Sequence, residues 1–196
     1  MGVEFELKYR AEAAQQEAIA QAYADLQWKT LQMRTAYYDT PSGALSQRHI
    51  TLRCRMENGV PVYTVKTPAE GGRGEWELSG CAGMAEAVPA LCEMGAPREL
   101  AQLCKEGLVH ICGAEFTRRA AAVTWEGTQM ELALDSGFLT AGEKKVPLCE
   151  VEVELKDGEY SKIVAWAVTL ACQFGLMPEK KSKFRRALDL REKENG

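Results

Sequence analysis

From Val3 to Arg10 the chain reads VEFELKYR, apolar and charged residues in strict alternation. Strand side chains point to opposite faces with a period of two. This segment is therefore a strand with an apolar face (Val3, Phe5, Leu7, Tyr9) and a wholly charged one (Glu4, Glu6, Lys8, Arg10). The pattern recurs. In CEVEVELK, Glu150, Glu152, Glu154 and Lys156 oppose Val151, Val153 and Leu155. In TLRCRME, Arg53, Arg55 and Glu57 oppose Leu52, Cys54 and Met56. In RGEWEL, Arg73, Glu75 and Glu77 oppose Trp76 and Leu78, and in QMELALDSG, Glu131 and Asp135 oppose Met130, Leu132 and Leu134. Lys66 shares a face with Thr64 in YTVKT.

The same patterns predict the other elements. Helical spacing covers 11–28, with Ile19, Tyr23 and Leu26 as the apolar stripe. Strands are expected over 33–39, 49–57, 60–67 and 74–80, with Asn58-Gly59 as a hairpin turn. Short helices are expected over 84–94 and 97–106, the second opened by Pro97. Further strands read over 115–127, 128–137 and 148–158. An amphipathic helix follows over 159–175, ending at a glycine, and then a basic helix over 180–193. No repeat or linker divides the chain, so residues 1–196 read as one β-rich, mostly antiparallel domain with several helices.

Composition narrows the classes. With 46% hydrophobic and 27% charged residues, the chain is of the soluble globular kind. A net charge of -4 argues against nucleic acid held by bulk charge. No run is apolar and long enough for a membrane span, and none is of signal-peptide type. Seven cysteines without a CxxC pair read as reduced, packed thiols in a cytoplasmic protein. Gly2 does not make a myristoylation site, because Glu6 stands where that motif needs Ser or Thr. His110 and Cys112 form an HxC with no second pair, so zinc is not expected. Trp28, Trp76, Trp125 and Trp166 read as wall and core packing.

A sheet with one face in water produces the same alternation on any single strand. These faces differ from solvated ones in being almost wholly Glu, Arg and Lys, and in recurring on several strands. Helices covering the apolar side from outside would leave the charged side enclosed. Burying unpaired charge is very costly, so such an interior must hold water, metal or a charged ligand. The glutamates are hard oxygen donors suited to Mg²⁺ or Mn²⁺. Lys8, Arg53, Arg55 and Lys66 suit a polyanion.

These residues also carry a resemblance. EFELK matches the ExExK signature of the CYTH superfamily, the triphosphate tunnel metalloenzymes. YYDTPSGAL, TLRCR, TVKT, RGEWEL, FTRR, ELALDSG, EVEVEL and KSKFRRAL follow in order, so the resemblance covers nearly the whole chain. It implies an α+β fold: an eight-stranded antiparallel barrel forming a tunnel, with helices packed outside. It implies Mg²⁺ or Mn²⁺ as cofactor, and a small-molecule triphosphate as substrate. Carried over by position, Glu4 and Glu6 are metal ligands, with Glu150, Glu152 and Glu154 facing them. Lys8, Arg53, Arg55, Lys66, Arg73 and Lys183 bind the triphosphate, with Arg186 in support. Glu75 and Asp135 hold metal or water and join Glu4, Glu6 and Lys8 as the catalytic set. Of the adjacent Arg118 and Arg119, one points inward, and the sequence leaves open which. Lys156 belongs at the rim. Arg10, Glu57 and Glu77 stay open between tunnel and solvent, while Arg185, Arg191 and Lys193 read as a solvated helix face.

The activity implied first is hydrolysis of inorganic triphosphate to pyrophosphate and phosphate. A class IV adenylate cyclase and a thiamine triphosphatase are the enzymatic alternatives. A metal-dependent polyphosphate-binding module is the non-enzymatic one. Neither a nucleic-acid nor a membrane partner is expected, and the protein is expected as a monomer or homodimer.

Overall fold

A computed structural model describes residues 2–69 and 72–192, with the side chains of 2–4, 72 and 192 outside the description. Ten strands form one antiparallel sheet. They are β1 (Gly2–Glu4), β2 (Glu6–Arg10), β3 (Lys29–Asp39), β4 (Thr51–Glu57), β5 (Val60–Ala69), β6 (Gly72–Ser79), β7 (Val109–Trp125), β8 (Thr128–Ala141), β9 (Lys144–Asp157) and β10 (Met177–Pro178). The order is β1-β6-β5-β4-β3-β7-β8-β9-β2-β10. β1 and β2 are one stretch of chain interrupted at Phe5. Glu4 pairs with Arg73 of β6, whereas Glu6 pairs with Glu154 of β9. The N-terminal stretch thus touches both ends of the sheet order and curls the sheet into a barrel, with β10 as a two-residue addition on β2.

Two groups of helices cover the outside. α1 (Ala13–Ala22) and α5 (Tyr160–Phe174) lie over the apolar faces of β2, β8 and β9, where Ile19, Ile163 and Leu170 meet Leu132, Val151 and Val153. α2 (Ala44–Gln47), α3 (Met84–Glu93) and α4 (Glu99–Leu103) cover β4–β6, where Leu45, Leu91 and Leu100 meet Leu52, Val65 and Trp76. At roughly 25 cal/mol per Å² of apolar area, these two seams supply the main drive to curl the sheet with its charges inward.

α6 (Lys183–Glu192) departs from the expectation that all helices pack outside. Its Phe184, Ala187 and Leu188 cluster with Tyr37, Ala114, Leu139 and Leu148. Those strand residues share the inner face with Thr35, Phe116, Asp135 and Glu150, by the period of two. One end of the barrel interior is therefore apolar, and α6 fills it.

Several boundaries differ from the periodicity reading. The helix over 11–28 stops at Ala22, and the Trp28 indole donates to the Tyr23 carbonyl. β8 and β9 run on through 138–147, which periodicity left unassigned. Gly137 looked like the end of a strand. It is instead a point of close approach, where a Cβ would stand 2.2 Å from the Glu115 carbonyl oxygen. The Asn58-Gly59 turn is as expected, with both residues at positive φ (49° and 88°). Trp76 and Trp166 are buried among the outer helices, as read from the sequence.

Candidate active site

The barrel encloses a cavity of about 940 Å³. One wall is cationic. Lys66 on β5 and Arg53 and Arg55 on β4 face inward beside Glu75 and Glu77 of β6. The pairs are long: Lys66 to Glu75 at 3.3 Å, Arg53 to Glu75 and Glu77 at 3.7 and 3.8 Å, and Arg55 to Glu77 at 3.6 Å. Arg55 Nε donates to Glu57 at 2.6 Å. Burial first, and then the neighbouring Arg53, pull the Arg55 guanidinium below its usual value, more than Glu57 and Glu77 restore. Arg73 lies at the same end of the cavity as Thr51, to whose hydroxyl it donates at 3.1 Å.

The opposite wall is acidic and tightly compensated. Asp135 on β8 and Glu150 on β9 are fully buried, and Glu152 lines the cavity. Arg118 donates to Asp135 through Nε (2.8 Å) and Nη2 (2.7 Å), and to Glu152 Oε2 at 2.5 Å. Lys183, the first residue of α6, lies 2.8 Å from both Asp135 Oδ2 and Glu152 Oε1, and pairs with Glu150. Arg186 pairs with the other oxygen of Glu150. Burial alone would raise Glu152, but Lys183, Arg118 and Lys8 together outweigh it and hold this carboxyl well below the usual range. Burial, with Glu152 beside it, lifts the more enclosed Glu150 against Lys183 and Arg186. Burial would lower Lys8, yet Glu6 and Glu152 raise it, so it stays a cation, 2.5 Å from Glu6.

The sequence-derived residues come together unevenly. Glu6, Lys8, Arg53, Arg55, Lys66, Arg73, Glu75, Arg118, Glu152, Glu154 and Lys183 all line the cavity. Asp135 and Glu150 sit immediately behind it. Glu154 faces Glu6 across the ladder and pairs with Lys156 at 2.7 Å. Arg186 reaches the site only through Glu150 and Glu179. The side chain of Glu4 lies outside the described residues. Of the arginine pair, Arg118 is the inward one. Arg119 belongs on the outer face, 3.3 Å from Glu17 of α1, because adjacent strand residues must point apart, so its place in the substrate-binding set is corrected. Arg10 is 68% exposed and pairs with Glu179 at 2.7 Å, which puts it at the rim. Glu57 and Glu77 line the cavity, and Arg185 does too although it is half-exposed.

Periodicity passed over four contributors. Glu131 lines the cavity across the ladder from Glu154, on the face where its phase put it, but without a role. Phe116 and Phe184 line it from β7 and α6. Glu179 is buried, accepts from Arg10 and from the Lys181 amide, and donates its own amide to the Lys8 carbonyl at 2.8 Å. It thereby fixes the segment leading to Lys183. Its only sequence signal is a lone acid ahead of a lysine run.

The donor chemistry suits a hard divalent cation. One oxygen from each of Asp135, Glu150 and Glu152 lies within 4.8 Å of the others. Glu150 Oε1 is buried and accepts no hydrogen bond, although the Lys183 ammonium is beside it. Among the described residues this is the one such group of three metal-binding side chains.

A curled antiparallel barrel that keeps its charges inside defines a tunnel protein. The CYTH domain model matches residues 2–188, and the chain belongs to that family. It is 26% identical over 174 residues, 86% of its length, to the inorganic triphosphatase of Haemophilus influenzae. The chain spans about half of that relative's length (49%). The fold is shared with solved structures, of which two serve as examples. One is a Hippeastrum protein described as a "putative adenylyl cyclase" with a dominant triphosphatase activity (TM-score 0.63, 19% identity, 94% of each chain). The other is PH1819 from Pyrococcus horikoshii (TM-score 0.59, 18% identity, 95% and 98% of the two chains). No helix among the described residues is long and apolar enough to cross a membrane.

Proposed function

We propose that the protein hydrolyses inorganic triphosphate to pyrophosphate and phosphate with Mg²⁺ or Mn²⁺. The observation that carries this is the pairing of two unlike walls around one cavity: Arg53, Arg55 and Lys66 line one side, and Glu152 lines the other with Asp135 and Glu150 immediately behind it. The name of the Haemophilus relative supports the same choice of substrate.

The cationic wall binds the phosphate chain. Arg53 exchanges its long contacts to Glu75 and Glu77 for short, charge-assisted bonds to phosphate oxygens, and Arg55, oriented by Glu57, does the same with its contact to Glu77. Lys8 and Lys183 reach the chain from the acidic side, since both line the cavity. Asp135, Glu150 and Glu152 would hold the cation, and Glu6 and Glu154, which face each other across the β2–β9 ladder, would position water. The bound ion supplies charge neutralisation of the phosphate oxygens and a lowered pKa for a bound water. No side-chain nucleophile is required, because clamping and electrostatic stabilisation account for phosphoryl transfer of this kind.

The test is an assay of tripolyphosphate, ATP and thiamine triphosphate, each with Mg²⁺ and with Mn²⁺. Phosphate release fastest from tripolyphosphate is expected. Cyclic AMP formed from ATP would overturn the hydrolase reading, and tight tripolyphosphate binding without turnover would make the protein a binding module. Glu6→Gln and Glu152→Gln are each expected to abolish metal-dependent release, and near-normal rates in both would refute the ligand assignment.

A further inference from the structure

The six carboxylate oxygens of Asp135, Glu150 and Glu152 serve three cations. Both oxygens of Asp135 and Oε2 of Glu152 accept from Arg118, and Glu150 Oε2 pairs with Arg186. Asp135 Oδ2, shared with Arg118, converges with Glu150 Oε1 and Glu152 Oε1 on one point, and that point is the Lys183 ammonium. The arginines clamp the back of the cluster. The front is a triangle of oxygens directed at Lys183, two of which it does not share with an arginine.

A divalent ion bound through these oxygens would sit about 2.0–2.2 Å from them. It would occupy the space of the ammonium and repel it, so both cannot be held at once. The lysine has somewhere to go. Lys183 lines the cavity itself, on a flexible four-carbon stem, with the Phe116 ring 5.2 Å from its Nζ. Its backbone stays in place, because Phe184 and Ala187 hold α6 in the apolar end of the barrel and Glu179 ties the preceding segment to β2.

We propose that Lys183 is an exchangeable counter-ion: a divalent cation displaces its ammonium from Asp135, Glu150 and Glu152 into the cavity, where it meets the phosphate chain. The second half of this rests on the triphosphate reading; the first half does not. Three carboxylates face three cations, Arg118, Arg186 and Lys183. Replacing a single charge on the cluster with a double one, and adding the freed charge to the cavity, makes the site more attractive to an anion in two ways. Metal and anion should therefore tighten each other's binding, and such coupling is reciprocal.

The test reads Mn²⁺ binding to the full chain by calorimetry, with no triphosphate present. Lys183→Met is expected to bind Mn²⁺ at least 10-fold more tightly than the wild type. With metal saturating, it is expected to bind tripolyphosphate at least 10-fold more weakly. Lys181→Met, which removes an exposed lysine paired with Asp189, is expected to leave Mn²⁺ affinity unchanged. Unchanged or weaker Mn²⁺ binding by a folded Lys183→Met would overturn the proposal. Should that variant fail to fold, the wild type answers: Mg²⁺ should speed acylation of the Lys183 amine, mapped by mass spectrometry, and an unaltered labelling rate would overturn the exchange. Because the metal arms contain no triphosphate, a chain that hydrolyses nothing would still give a readable answer.

Discussion

The two walls of the cavity differ in how their charges are satisfied. On β8 and β9, buried carboxylates are held by contacts of 2.5–2.8 Å to Arg118 and Lys183. On β4–β6, Arg53 and Lys66 stand 3.3–3.8 Å from Glu75 and Glu77, which are partly open to water, while Arg55 is held by Glu57 at 2.6 Å. The first wall is part of the fold's electrostatic structure, and removing one partner strands a charge away from water. On the second, Glu75 and Glu77 are reached by water, so a change of partner there costs less than on the first. On the proposed reading the acidic wall takes the cation and the cationic wall the phosphate chain, and the cations on the acidic wall hold Glu152 ionised.

The sharpest way to break this contrast is Arg118→Met. It leaves Asp135 buried without its bidentate partner, and loss of about 3–5 kcal/mol of stability is expected from urea unfolding. The matching change on the other wall, Lys66→Met, should cost less stability than Arg118→Met, because the Glu75 it leaves behind is partly open to water whereas Asp135 is fully buried. Its effect belongs on substrate: kcat/KM for tripolyphosphate should fall about 10- to 100-fold, the loss of one charge-assisted hydrogen bond of about 1.5–3 kcal/mol. Equal stability losses from the two variants would erase the distinction.

A conditional effect comes next. The Glu152 carboxyl is held below its ordinary value of 4.5, so its contribution to stability is fully present above that pH and fades as pH falls through the lower folded value. The stability gap between the wild type and Glu152→Gln should stay level from pH 8 to 5 and shrink below about 4.5. A gap that closes near neutrality would show the acidic wall to be poorly compensated. The smallest effect is expected from Arg119→Ala: about 0.5 kcal/mol or less in stability, with kcat/KM unchanged, because its pair with Glu17 is solvent-exposed. A large kinetic effect there would put Arg119, and not Arg118, in the tunnel.

Much of this contrast could be read in advance, because a period of two separates inward from outward residues on every strand. It placed Arg53, Arg55, Lys66, Glu75, Asp135, Glu150 and Glu152 on one common surface. The family resemblance then implied roles for them. The choice between Arg118 and Arg119 was beyond periodicity, since Arg-Arg carries no alternation and only the ladder to Asp135 settles the phase. The α6 end was hidden for a different reason. KKSKFRRALDLREK reads as a basic, solvated helix. Its few apolar residues enter the barrel, and a mean hydropathy cannot show that its lysines and arginines find carboxylates there. Gly137 misled in the opposite sense, because a glycine needed for close backbone approach looks the same in sequence as one that ends a strand.

The interrupted N-terminal strand has a consequence for biosynthesis. β2 is made long before its partner: Leu7 must wait for Val153, and β1 must wait for β6. The hairpins β3–β4–β5–β6 and β7–β8–β9 can form as they emerge, but the β3–β7 pairing must wait for β7, and the seam that joins the two edges waits longest, for β9. Contacts this distant in sequence are slow to form. Until β9 arrives, the charged strand with which the chain opens has no wall to belong to, and a chaperone or the ribosome's own surface would meet it as an unpaired edge.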